Sequence, residues 1–289
     1  MKRSLINICL LATVSSFFSC FSVAEKFETL PSGVEYRFVN KAENETAVKA
    51  GDVWNLDITY YNSADSLLFN SKDVAQNFVM NVPEKTSVEG SVEEGIFLMT
   101  KGDSAVFKVS AETFFKKSRK IDVPKYILPD EKLTFYVKLK DIIDGKEYQK
   151  GIDDWIDKMN AQELLIIKDY LERENIQASK LDSGVYKQVL KEGRGNLTAS
   201  GKTVIINYIG SFIDGREFDN TYKRNEPFTF LQGSGKTVPG FEVALATMKK
   251  GEKSRFIIPS KQGYGPEGRK GFIPRFATLI FEVEMIDFE

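Results

Sequence analysis

The chain has 289 residues, 42% hydrophobic and 28% charged, with 40 lysines and arginines against 41 aspartates and glutamates. That length suggests two domains with ordinary apolar cores, and so even a charge balance carries no electrostatic footprint for nucleic acid or an anionic membrane surface. Histidine is absent, which removes Ser-His-Asp and Cys-His nucleophile systems, HExxH zinc sites and every imidazole general base.

The first element is MKRSLINICLLATVSSFFSCFSVAEKF, with basic Lys2 and Arg3, an apolar run from Leu5 to Val14 and then small residues. This is the layout of a secretory signal over residues 1–24, and its apolar run is short of the roughly 20 residues that span a bilayer. Two processing positions fit: after Ala24, or before Cys20 to leave a lipid-modified cysteine. The expected location is therefore the bacterial periplasm, or the envelope as an anchored lipoprotein. Loss of Cys9 leaves at most Cys20, so no internal disulfide is expected.

Downstream, the chain repeats itself. LPSGVEYRFV at 30–39 matches LDSGVYKQVL at 181–190, and GDVWNLDITYYN at 51–62 matches GKTVIINYIGSF at 201–212. Leu68-Phe69-Asn70-Ser71 is paired with Glu217-Phe218-Asp219-Asn220, MTKGDSAVFKVS with MKKGEKSRFIIP, and LTFYVKLKDI with LIFEVEMIDF. The matches keep their order and their offset drifts only from 151 to 146, which points to duplication of one unit. The expected domains are 27–145 and 181–289.

Residues 146–180 join the copies. Ile156, Met159, Leu164, Ile167 and Leu171 recur at helical steps, Asn160 and Glu163 form a candidate capping pair, and neither proline nor glycine interrupts 152–178. A helical connector is predicted, about 30 Å long if some 20 residues are helical. It is read either as an amphipathic segment lying on its own domains, the favoured reading, or as a spacer or a contact through which chains self-associate.

In the second copy TVIINYIG, KSRFIIP and ATLIFEVEMIDF read as strands and GFEVALATMKKGE as a short helix with Phe241, Leu245 and Met248 on one face. Antiparallel strands wrapped on a helix make an α+β fold.

YIG at Tyr208, DGREFDNT, RNEPFTFLQG, VPGFEVALATMKKGEK, IPSKQGYGPEG and GFIPRFATLIFEVE follow in order. In that order and spacing, residues 183–289 resemble an FKBP-type peptidyl-prolyl cis-trans isomerase domain along essentially its whole length. The whole chain resembles a tandem, exported bacterial type with two FKBP-like domains and a helical linker.

The resemblance implies a proline pocket lined by Tyr208, Phe218, Phe228, Val238, Phe241 and Phe281. Asp219, Tyr264 and Ile273 would supply polar and backbone contacts at the rim, and Phe272 would close the pocket. It implies catalytic parts for Phe218, Asp219 and Tyr264, no metal or other cofactor, and X-Pro segments of unfolded clients as partners. The glycine-rich loop GYGPEGRKGFIPRF would exist to hold Tyr264, Phe272 and Ile273 over that pocket. Phe241 stands where most members carry tryptophan, and Arg269 where many carry histidine.

In the first copy the alignment sets Asn70 at Asp219, Val92 at Phe241 and Phe115 at Tyr264, and FFKKSRKIDVPKYILPD replaces the glycine-rich loop. This copy is expected to keep the fold without the activity. A chaperone that binds apolar segments without catalysis is the alternative function.

Overall fold

The alternating residues of GDVWNLDITYYN and GKTVIINYIGSF become, in the computed structural model, an inner strand of a sheet in each half of the chain. The structure describes residues 26–43, 48–84 and 89–289, so the expected signal segment with Cys20 and Ala24 lies outside the described residues. The chain divides into two units, Met1–Tyr148 and Gln149–Glu289.

The first unit contains β1 (Glu28–Thr29), β2 (Glu35–Asn40), β3 (Val53–Tyr61), β4 (Leu67–Asn70), β5 (Phe78–Asn81), α1 (Val92–Ile96), β6 (Ser104–Ser110), α2 (Ala111–Thr113) and β7 (Lys132–Ile143). Its strands form one sheet in the order β1-β2-β6-β7-β3-β4, with β5 also on β3, and every pairing is antiparallel. Burial alternates along β3 because successive side chains point to opposite faces. The inner face carries Trp54, Leu56 and Ile58, which close on Phe107, Phe135 and Ile96 of α1.

Next comes α3, Gly145–Arg173, a single helix of 29 residues and about 44 Å. Asp144 caps it, its Oδ1 accepting from the backbone N–H groups of Lys146 and Glu147. The helix therefore starts earlier than the Asn160–Glu163 pair suggests, and those two residues sit in its middle. Glu163 is buried instead of capping, and Leu164, expected on the apolar face, is 43% exposed. Ile167 is fully buried and packs with Ile176, Ile257 and Ile280. No helix among the described residues is long and apolar enough to cross a membrane.

The second unit continues with β8 (Ser179–Lys180), β9 (Tyr186–Lys191), β10 (Arg194–Leu197), β11 (Thr203–Phe212), β12 (Glu217–Asn220), α4 (Thr221–Arg224), β13 (Phe228–Leu231), α5 (Pro239–Leu245), β14 (Lys249–Lys250), β15 (Lys253–Ile258) and β16 (Leu279–Phe288). Its main sheet runs β12-β11-β16-β15-β9-β8 with β13 also on β11, the same order as the first unit. Antiparallel sheets with short helices, joined in the second unit by most of the long α3, make both units α+β. Phe241, Ala244, Leu245 and Met248 are buried against the sheet beside Ile206, Phe256 and Val283.

Candidate functional site

Period-two alternation in β11 turns Tyr208 and Gly210 to the same side as Phe281, which lies directly across from Gly210 on β16. The next strand, β12, adds Phe218 and Asp219, while α5 and the residue before it bring Phe241 and Val238. Together with Phe228, Tyr264, Phe272 and Ile273 these residues line one cavity of about 930 Å³. All ten site residues named from the sequence thus meet in one place, in a cavity at the upper end of the range for small-ligand pockets. No residue of α3 lines it; the helix borders a separate groove of about 300 Å³.

The floor is aromatic. Ring centroids of Phe241 and Phe281 are 4.5 Å apart, those of Phe218 and Phe281 5.5 Å at 83°, and Tyr208 stands 5.7 Å from both Phe241 and Phe281. Tilted and edge-on contacts of this kind favour fixed ring positions. Gly210 completes the cup, because a Cβ there would lie 2.6 Å from the Phe218 ring and 3.1 Å from Phe281. The sequence reading missed this residue, although the YIG spacing contains it.

Asp219 is fully engaged by the protein. Tyr208 donates its hydroxyl to one carboxylate oxygen, and the other accepts from the Arg224 guanidinium and from the Asn220 backbone N–H. Burial alone would raise the carboxyl pKa; the Tyr208 and Arg224 hydrogen bonds and the Arg224 charge outweigh it and hold Asp219 below the usual carboxylate range. Burial and the neighbouring carboxylate push the Tyr208 phenol well above its ordinary value. Asp219 is therefore an ionised acceptor with no proton to give, and Arg224 is a second member of the site that sequence reasoning overlooked.

These shifts give a pH prediction. A carboxylate whose folded pKa is depressed adds stability above its unfolded pKa of about 3.9 and loses it as pH falls through the lower folded value. Wild type should therefore lose stability more steeply than Asp219→Asn below about pH 4, and urea midpoints at several acidic pH values will show the difference.

The loop after β15 opens with a 3-10 turn, Ser260–Gln262, and places Tyr264 and Phe272 at the lip, 36% and 70% exposed. Phe272 stands open and does not close the cavity. Gly268 is required where it is: its φ is +65°, and a Cβ would lie 2.5 Å from the Ile273 carbonyl oxygen. Ile273 is buried, its N–H donates to the Arg269 carbonyl at 2.8 Å, and its carbonyl accepts from the Arg269 N–H. The expected backbone contact from Ile273 to a ligand is thereby corrected: this residue lends its side chain to the wall. The adjoining Val238 N–H and the Tyr264 hydroxyl have no partner among the described residues.

The corresponding place in the first unit is filled. Pairing of Thr59 with Asn70 matches pairing of Ile209 with Asn220, and Ser71 Oγ accepts from the Ile58 N–H as Thr221 Oγ1 does from Tyr208. The equivalent of Asp219 is therefore Phe69, one residue before the Asn70 that ungapped alignment suggested, because Asn70 matches the capping Asn220. Tyr60 takes the place of Gly210, packing against Phe69, Phe114 and Phe135 at centroid distances of 5.5, 5.0 and 4.8 Å.

Known proteins resemble the second half of the chain. A family profile described as FKBP-type peptidyl-prolyl cis-trans isomerase matches residues 195–286. FK506-binding protein 1 of Dictyostelium discoideum is 42% identical over 106 residues, 37% of this chain and 99% of that protein. FK506-binding protein 59 of Drosophila melanogaster is 46% identical over 106 residues, 36% of this chain but only 24% of its own length. The FKBP-type peptidyl-prolyl cis-trans isomerase FkpA of Escherichia coli K12 is 42% identical over 106 residues, 36% of this chain and 38% of FkpA. A crystal structure of E. coli FkpA superposes with a TM-score of 0.41 at 32% identity, covering 50% of this chain and 67% of that one. With an aromatic cavity in the second unit and 42% identity across 99% of the length of one relative, the chain belongs to the FKBP-type peptidyl-prolyl cis-trans isomerase family.

Proposed function

We propose that this protein isomerises X-Pro peptide bonds in unfolded or partly folded clients, that residues 181–289 carry the activity, and that residues 27–145 are an FKBP-like domain without it. The observation that carries the reading is the open aromatic cavity of the second unit, lined by Phe218, Phe241, Phe281 and Tyr264. It is set against Tyr60 packed into the equivalent place of the first.

A peptide bond resists rotation because resonance gives it partial double-bond character, a barrier of roughly 18–20 kcal/mol. Before proline the two isomers differ by only about 0.5–1 kcal/mol, yet uncatalysed exchange takes tens of seconds. No bond must be broken. Twisting the amide removes resonance and reduces the negative charge on its oxygen, so water favours the planar ground state over the transition state. An apolar cup removes that bias and so binds the twisted form relatively better.

In this reading Phe218, Phe241 and Phe281 grip the pyrrolidine ring, with Tyr208, Phe228 and Ile273 as walls and Phe272 as a flap at the lip. The Tyr264 hydroxyl donates to a substrate carbonyl, and the Val238 N–H is placed to do the same for another. Asp219 is a positioning residue: it fixes Tyr208 and Arg224, and its charge beside the cavity disfavours the more negative planar amide oxygen.

The N-terminal 24 residues support export, with clients among exported proteins. The intact mass of the mature chain separates cleavage after Ala24 from acylation at Cys20.

The activity is tested by a protease-free exchange assay on the full chain with a short X-Pro peptide. Phe218→Ala should lower kcat/KM at least tenfold, about 1.4 kcal/mol of barrier, and Tyr264→Phe by a smaller factor. Wild-type exchange in Phe218→Ala would remove Phe218 from the site, and no catalysis by the wild-type chain would leave only a peptide-binding module.

A further inference from the structure

Several charged side chains line the cavity, and three of them are satisfied within the protein. Asp219 is held by Tyr208 and Arg224, Glu217 is bonded to Lys223 at 2.5 Å, and Arg216 to Asp214 at 2.8 Å. Lys236 and Arg269 line the same cavity and have no carboxylate partner among the described residues.

Each of these two lies instead over an aromatic ring of the cavity. Lys236 Nζ is 5.4 Å from the Phe228 centroid, and the Arg269 guanidinium carbon is 5.0 Å from that of Phe272. Such a contact steadies a long side chain at an exposed site while leaving its full charge facing an incoming ligand. The excess is local: the chain as a whole has a formal charge of −1, yet the loop with Arg269 also holds Lys261, Lys270 and Arg275 against one acid, Glu267.

We infer that Lys236 and Arg269 are specificity-determining residues that select X-Pro segments with a glutamate or aspartate beside the proline. The inference rests on the isomerase reading for the position of the proline and adds the class of client sequence. An acidic side chain next to a proline held on the aromatic floor would meet uncompensated positive charge at the lip, whereas a lysine there would be repelled.

The test uses the full chain and blocked peptides with Glu, Gln or Lys placed before the proline, and a second set with the same residues after it. Affinity is followed by titration and isomer exchange by NMR on the same samples. In at least one set the Glu peptide should bind about 3- to 10-fold tighter than its Gln counterpart at low salt, the scale of two charges about 4 Å apart in high-dielectric surroundings.

Raising the salt to about 1 M should erase the difference by screening, and K236Q/R269Q should reduce it below about twofold. Equal affinity for Glu and Gln peptides, or a preference that survives in K236Q/R269Q, overturns the inference. Charge-selective binding without faster exchange sinks the isomerase reading alone, and catalysed exchange with no charge selectivity sinks this inference alone.

Discussion

Gly210→Tyr is expected to abolish proline isomerisation, lowering kcat/KM at least about a hundredfold, or ~2.7 kcal/mol of barrier. The reason is steric and already present in the molecule. A Cβ at Gly210 would sit 2.6 Å from Phe218 and 3.1 Å from Phe281, so the new ring must enter the space where the substrate ring is proposed to bind. In the first unit Tyr60 occupies the equivalent strand position and contacts Phe69, Phe114 and Phe135.

Overpacking costs typically about 1–3 kcal/mol, so the variant should still fold, which a urea titration will show. Gly210→Ala should give a smaller loss in the same direction, because the Phe218 ring has to shift by a few tenths of an ångström or more. Undiminished exchange in a folded Gly210→Tyr protein would mean that the reaction does not use this cavity.

The second large effect concerns stability. Glu163 is 5% exposed, and its carboxylate accepts three hydrogen bonds of 2.6 Å, from the Ser260 N–H, the Ser260 hydroxyl and the Thr278 hydroxyl. It ties α3 to the turn that leads to Tyr264 and to the residue preceding β16. Glu163→Ala would leave three buried donors without an acceptor and is expected to cost about 3–5 kcal/mol, or ~10 °C in the melting temperature of the second unit.

Glu163→Gln, which keeps one acceptor oxygen, should fall between. Trp155 on the same helix lies 5.1 Å from Phe276, so its emission reports whether α3 stays docked. An unchanged melting temperature in Glu163→Ala would show that the clasp contributes nothing to the fold.

The helix shows where pattern reading succeeds and where it stops. Ile156, Met159, Ile167 and Leu171 mark the face that α3 buries, since apolar residues at helical spacing must leave water somewhere. Leu164 broke that pattern and Glu163 took its place, because three donors from Ser260 and Thr278, about a hundred residues away, make a charge acceptable there. Capping logic read the same glutamate as marking a helix start for the same reason: spacing along the chain does not record what packs against it.

The first copy carries a parallel lesson. Ungapped alignment put Asn70 opposite Asp219, while the ladder pairs show that Asn70 matches Asn220 as a cap and that Phe69 stands for the acid. A slip of one residue turns a side chain to the other face of a strand, and only the hydrogen-bonded register corrects it.

By itself, then, the order of residues carried the internal repeat, three strands and the short helix of the second copy, and, through the motifs shared with a known family, the ten residues that gather there. The repeat, the strands and the helix are local or ordered patterns, written by periodicity and spaced motifs; the ten residues came from the resemblance that those motifs carry. The tertiary structure alone decided that Arg224 and Tyr208 hold Asp219 ionised, that Gly210 leaves the cup open while Tyr60 fills its twin, and that Lys236 and Arg269 remain unpaired at the lip. Each of these depends on which side chains the folded backbone brings together, some near in the chain, as Arg224 and Asp219 are, and some distant, as Tyr60 and Phe135 are; burial and proximity set their energies and leave no periodic trace in the sequence.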